Sequence, residues 1–276
     1  MDHPPLDHIE YHNIADTLYP DIYRDDNSPD SEMQLLYYNA IMNLIKYNKI
    51  DEFMAFLDTI ATEINSIYYR CSLLHKASEY GNIEIIAEMI SRGADIHIRD
   101  LDGGTILHRA VLGTNEETII FLLERGMDLN VKSTIDGNTP LHIASFWKNA
   151  DIVNFLIENG ADINCMNDSN ETPVNYLINN LNLNLLQVSH SYLLSNTNNL
   201  NNLSESAINL INTLNIFIAK GADFNVYTKR PFHTPEEAML AREIFAMMGA
   251  KQEEYRFIGQ SSNNNKLFSK NLVVLK

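Results

Sequence analysis

Apolar positions along the chain fall into pairs of short helical stripes separated by polar, turn-rich runs. In the clearest stretch Leu141 and Ala144 stand three apart on one face, and Ile152, Val153, Phe155, Leu156 and Ile157 form a second stripe after a polar break at Lys148 and Asn149. These spacings predict a short helix starting at Pro140 and a second helix ending before Gly160. Thr139 offers a side-chain oxygen just ahead of the first helix, and Pro140 follows where a missing N–H costs nothing. A glycine just past the last periodic residue takes the left-handed conformation that caps a helix, a role that falls to Gly93, Gly126, Gly160 and Gly221. The runs Asp100 to Gly104, Thr134 to Asn138 and Asn167 to Glu171 then read as hairpin tips between one pair and the next.

The pairs are copies of one unit. Leu-His-x-Ala stands at Leu74 to Ala77, Leu107 to Ala110 and Leu141 to Ala144, beginning 33 and 34 residues apart. A second echo follows each copy, at Gly93 to His97, Gly126 to Asn130 and Gly160 to Asn164, with a later one at Gly221 to Asn225. Thr139-Pro140-Leu141-His142-Ile143-Ala144 at a period of about 33 residues is the ankyrin signature. The chain resembles the ankyrin-repeat family from Met33 to Tyr255, most closely between Cys71 and Asn170. One helix pair cannot bury its own apolar face, so neighbours must stack into a continuous core. The resemblance implies an all-α fold, an ankyrin-repeat solenoid of about five to six helix-pair repeats with short hairpin tips. It also implies a concave face of tips and first helices that binds other proteins and does no chemistry.

Fidelity to the repeat falls at both ends. Residues 1–32 form an acidic leader, nine acids against Arg24 alone for a net of −8. The repeat domain spans 33–255, with capping repeats at its ends. Ser31 and Gln34 resemble a capping box, Leu35 to Ile45 and Ile50 to Ile60 form a first pair, and Asn48 replaces a turn glycine. The fifth repeat opens at Thr172-Pro173, yet Gly160 and Gly221 are 61 residues apart, so about 27 Asn- and Leu-rich residues are inserted near 179–205. Thr234-Pro235 opens a C-terminal cap, and 256–276 reads as a flexible tail. Glu253 and Glu254 before that polar, apolar-ended tail are similar to C-terminal signals of bacterial type IV secretion effectors. The chain ends without a prenylation box.

Charge and cysteine usage narrow the function. The formal net charge is −16, which argues against nucleic-acid backbone binding and favours a protein partner with a basic surface. Cys71 and Cys165 have no pairing or metal-ligand spacing, so a reducing compartment is expected. No secretory signal and no window of membrane-spanning length is seen, giving an expected cytoplasmic protein, secreted into a host cytoplasm in the effector reading.

Nine histidines invite catalytic or metal readings. His75, His108 and His142 are the repeat histidines, expected to hydrogen-bond the backbone of the adjacent hairpin. His8 and His12 lack a third ligand. Arg230-Pro231-Phe232-His233 holds the letters of an AMP-transferring Fic core in the wrong order, and no phosphate loop or nucleophile elbow is present. No catalytic residue, metal or cofactor is expected, and the molecule is expected to be a monomer. By the resemblance, partner contacts fall on the last turn of helix one and on the tips: Glu79, Tyr80, Leu112, Phe146 and Trp147 on the helices, Asp102, Asp136, Asn138, Asp168 and Glu171 on the tips. Aromatic residues carry interface energy, which makes Trp147 the expected centre and the tip acids its rim. The Asn-rich composition and the tail suggest a product of an AT-rich intracellular bacterium or large virus that binds a host protein as an effector. The alternative is an immunity or inhibitor protein neutralising a basic toxin enzyme.

Overall fold

A computed structural model describes residue 39, residues 41–59, 64, 65, 67, 68, 70–181, 185, 187, 190, 204–223, 239, 243 and 244. The acidic leader, the tail, the Ser31 and Gln34 box, most of the insertion and most of the C-terminal cap lie outside these residues. The chain divides into two compact units, Met1–Met127 and Asp128–Lys276.

In the first unit, helical residues 41–46 precede α1 (Ile50–Thr59), and a minimal antiparallel hairpin, β1 (Ile67–Tyr68) with β2 (Cys71–Ser72), leads into α2 (Leu73–Tyr80) and α3 (Ile83–Ser91). A second pair follows, α4 (Ile106–Leu112) and α5 (Glu116–Glu124). The two-residue strands depart from an all-helical reading, but they only square off a tip; the fold class is all-α helix-pair repeats. Ile45, Phe53, Leu74, Ala77, Ile85, Ile86, Met89, Leu107, Ala110, Ile119 and Leu122 are wholly buried between these pairs. Leu74, Ala77, Leu107 and Ala110 are the apolar positions of the Leu-His-x-Ala copies. Asn82 donates from its side chain to the carbonyl of Ile45, fastening the second pair to the first.

The second unit contains α6 (Pro140–Phe146), α7 (Ala150–Glu158), α8 (Pro173–Asn179) and the longer α9 (Glu205–Ala219). Leu141, Val153, Leu156, Val174, Leu177, Leu210, Ile211, Leu214 and Phe217 form its core. Helix α9 is the second helix of the interrupted repeat. Its seat is fixed by Lys220 on Glu158 at 3.1 Å and by Asp223 N–H on Asn164 Oδ1 at 2.7 Å. The latter repeats the bond of Asp162 N–H to Asn130 Oδ1, also 2.7 Å, one period earlier. Residues 180–204 thus separate α8 from α9, and the bond from the Asp N–H of the Gly-Ala-Asp echo to the preceding Asn side chain recurs on the far side of them.

Three left-handed positions recur once per repeat. The helix-two caps Gly93, Gly126, Gly160 and Gly221 all have positive φ, as the sequence predicts. The turn between the two helices is held by Asn48, Gly81, Thr114 and Lys148, and the tip by Arg70, Gly103, Gly137 and Asn170.

Candidate functional site

Each first helix is started by a reciprocal cap that employs the repeat histidine. In α2, α4 and α6 the N-cap hydroxyl of Ser72, Thr105 or Thr139 receives the backbone N–H of the histidine three residues on, and the histidine ring receives the N-cap N–H. Since Nδ1 of His142 accepts from Thr139 N–H at 3.1 Å, its proton is on Nε2, which donates to the Glu171 carbonyl at 2.9 Å. His75 repeats this arrangement with Ser72 and the Gly104 carbonyl at 3.3 Å. Burial pulls His75 down to about 4, so the ring is neutral and fully used in holding a tip. This is the expected structural role. Burial also pushes the Cys71 and Cys165 thiols up, the direction that disfavours a nucleophilic thiolate. Among the described residues no group of three His, Cys, Asp or Glu is placed to hold a metal, and no helix is long and apolar enough to cross a membrane.

The tips use most of the expected acidic rim for their own construction. Glu171 is fully buried: it receives the amides of Asn167 at 3.3 Å and Asn179 at 3.0 Å. Asn138 is buried too, accepting from Asn167 at 2.8 Å and donating to Asp136 at 2.5 Å. Glu171 and Asn138 are therefore corrected from partner-facing to internal. They occupy the position just before the N-cap, where Gly104 stands in the first unit, and the chain must turn inward there. Asp136, half-buried, accepts from Ser133 and from the Asn138 backbone as well. Asp102 is exposed but neutralised, paired with Arg70 and with Arg109 at 3.3 Å, while the buried Asp100 beside it takes Arg109 at 2.7 Å. Glu79 is paired with Lys76 at 3.0 Å. Asp168 alone among the named tip acids is an exposed carboxylate with no cationic partner within 4.0 Å among the described residues.

The helix-end residues divide by unit. In the first, Tyr80 is exposed, Leu112 half-buried, and the position after Leu112 is Gly113, where a Cβ would lie 1.8 Å from the Glu79 carbonyl oxygen. In the second, Trp147 leaves 60% of its surface exposed, the value that makes it the most open aromatic described. It meets Phe146 edge-on at 5.5 Å; Phe146 leans on Tyr176 at 5.8 Å, and Tyr176 meets the buried His142 at 5.8 Å. The indole is thus the exposed end of a supported row of rings.

Two members of this surface escaped the sequence reading. Tyr176 belongs to the next helix one, and only the 33-residue register brings it beside His142 and Phe146. Lys148 follows Trp147 in the left-handed turn (φ 57), with its amine on the Phe146 carbonyl at 3.3 Å. Its signal was its register: Asn48 and Gly81, residues that tolerate positive φ, hold the same place in other repeats.

Comparison with known proteins agrees with this geometry. Residues 74–167 match the family model of ankyrin repeats, in three copies. Over 65 residues the chain is 42% identical to the NF-kappa-B inhibitor cactus of Drosophila yakuba and of Drosophila melanogaster, covering 23% of this chain and 13% of each relative. Over 66 residues it is 36% identical to an ADP-ribosylation factor GTPase-activating protein of Arabidopsis thaliana, covering 24% of this chain and 8% of that one. The chain thus spans a small fraction of the length of each relative it matches.

Proposed function

This chain is an ankyrin-repeat protein across residues 74–167, and from that premise we propose that it sequesters a protein partner held at the exposed face of Trp147. Ankyrin repeats are protein–protein interaction modules. The observation that carries the site is the 60% exposed indole on its row of rings. A rigid, half-desolvated aromatic costs little entropy to dock and concentrates interface energy. Sequestration without chemistry is supported by the use of the repeat histidines His75, His108 and His142 in caps and by similarity to a relative named as an inhibitor.

The partner is a host protein and the compartment a host cytoplasm, a reading supported by the Asn-rich composition and the tail's similarity to type IV secretion signals. The second reading, an inhibitor neutralising a basic toxin enzyme, is favoured by the net charge of −16. That charge steers cationic surfaces at long range. The acids expected to make the contact itself, apart from Asp168, are already engaged.

The test is capture on the immobilised full chain from lysates of the source organism and of host cells, comparing wild type with Trp147→Ala at unchanged helical circular dichroism. A protein retained by wild type and lost by the variant supports the reading, and salt-sensitive capture of a toxin encoded nearby selects the inhibitor form. Equal retention by both chains sinks the site.

A further inference from the structure

We propose that the Trp147 site takes a partner segment carrying a carboxylate beside a large apolar side chain, the carboxylate bonding Lys148 Nζ and the apolar group lying on the indole. The inference rests on the reading of Trp147 as the docking point and adds the chemistry of what docks. Lys148 is half-buried, yet among the described residues no carboxylate lies within 4.0 Å of its amine. Among the described residues its amine bonds the neutral carbonyl of Phe146, at 3.3 Å. In a chain with 36 Asp and Glu against 20 Lys and Arg, a partly desolvated cation without an acid is an unmet electrostatic demand. Burial holds its ammonium below the usual lysine range, the direction expected when no counter-charge offsets desolvation.

The neighbouring residues fix the geometry of the demand. Lys148 stands at the left-handed turn position that Asn48, Gly81 and Thr114 hold in other repeats, a conformation that favours Gly or Asn and does not itself call for a lysine. Trp147, directly before it, presents the exposed indole. Cation and aromatic face are thus adjacent in sequence and held on one turn. Charge complementarity at the contact therefore opposes the sign of the whole molecule. Most of the acids that would have bonded a basic partner are spent within the tips, whereas among the described residues no acid pairs with the cation at the aromatic centre.

Trp147 is the only tryptophan of the chain, so its emission reports occupancy directly. Twelve-residue peptides would be selected from a randomised display library on the full chain, and the recovered sequences synthesised with each acid also replaced by its amide. The expected result is enrichment of Asp or Glu next to Leu, Phe or Trp, a shift of Trp147 emission on titration, and a loss of about tenfold in affinity in Lys148→Gln. The amide form of the peptide should bind wild type and Lys148→Gln alike. Enrichment of Lys or Arg, equal affinity of both chains for the acidic peptide, recovery of no peptide, or a concentration-dependent emission shift without peptide, which would make a second copy the occupant, each overturns the proposal. If Trp147→Ala retains full affinity, the docking point itself is wrong; if it loses affinity while Lys148→Gln does not, only the carboxylate inference fails.

Discussion

His142 Nε2 donates to the carbonyl oxygen of Glu171 at 2.9 Å, so one side chain starts its own helix and holds the tip of the following repeat. Replacing it by Phe keeps a flat ring but strands the buried Thr139 N–H and leaves the Glu171 carbonyl with the Asn167 N–H, at 3.0 Å, in place of two donors. A loss of about 3 kcal/mol is expected in urea unfolding. His142→Asn should lose less, because an amide oxygen at this place can accept the Thr139 N–H that Nδ1 now accepts. Equal losses for Phe and Asn would show that the ring's shape, rather than its hydrogen bonds, matters.

The neutral state of His75 makes acid the condition to which the first unit is sensitive. Burial lowers this group from 6.5 to about 4, so between those values the unfolded chain binds a proton that the folded chain does not. Its contribution is present above pH 6.5 and is lost as pH falls towards 4, on the order of a few kcal/mol in all. The urea midpoint should fall across this window in wild type and fall less in His75→Asn. Parallel decline in the two chains would assign the acid sensitivity to carboxylates instead.

Thr114 has φ 59 at the turn between α4 and α5, where a β-branched residue is poorly accommodated. Thr114→Asn should raise stability by about 1 kcal/mol, visible as a higher Tm, since Asn tolerates this region and already holds the equivalent turn at Asn48. An unchanged or lower Tm would mean that the Thr114 side chain makes up the strain elsewhere.

Gly113 has an ordinary φ of −73, so its smallness serves a close approach. A Cβ there would stand 1.8 Å from the Glu79 carbonyl oxygen, backbone that cannot rotate away. Gly113→Ala is expected to cost about 2 kcal/mol or more through separation of the ends of α2 and α4. Retained stability in thermal unfolding would show that the two helix ends part freely.

The helix starts were legible because local chemistry dictates them: a hydroxyl followed by proline marks a start at Thr139 and Thr172, whereas the histidine's share in the cap was not read from the sequence. Even the cap glycines and Asn48 could be placed from conformational preference alone. The acids of the tips could not be sorted, because the same carboxylate at a turn faces water or the interior according to which amides lie across the next tip. Asp168 and Glu171 look alike in the sequence, three residues apart. Lys148 was equally opaque. What distinguishes it is that no acid of the described residues reaches it in three dimensions, which only the packed neighbours reveal.

Glu171 and Asp168 therefore provide the sharpest check on the division between construction and contact. Glu171→Ala removes the acceptor of the Asn167 and Asn179 amides inside a fully buried site, and about 3 kcal/mol should be lost. Asp168→Ala touches a side chain that is exposed, and surface changes of this kind stay within about 0.5 kcal/mol. Urea unfolding of the two variants separates the roles. A mild Glu171→Ala would mean that the tip relaxes and exposes its amides to water, returning Glu171 to the rim; a severe Asp168→Ala would mean that its carboxylate, lying over Gly137, is part of the tip's own packing.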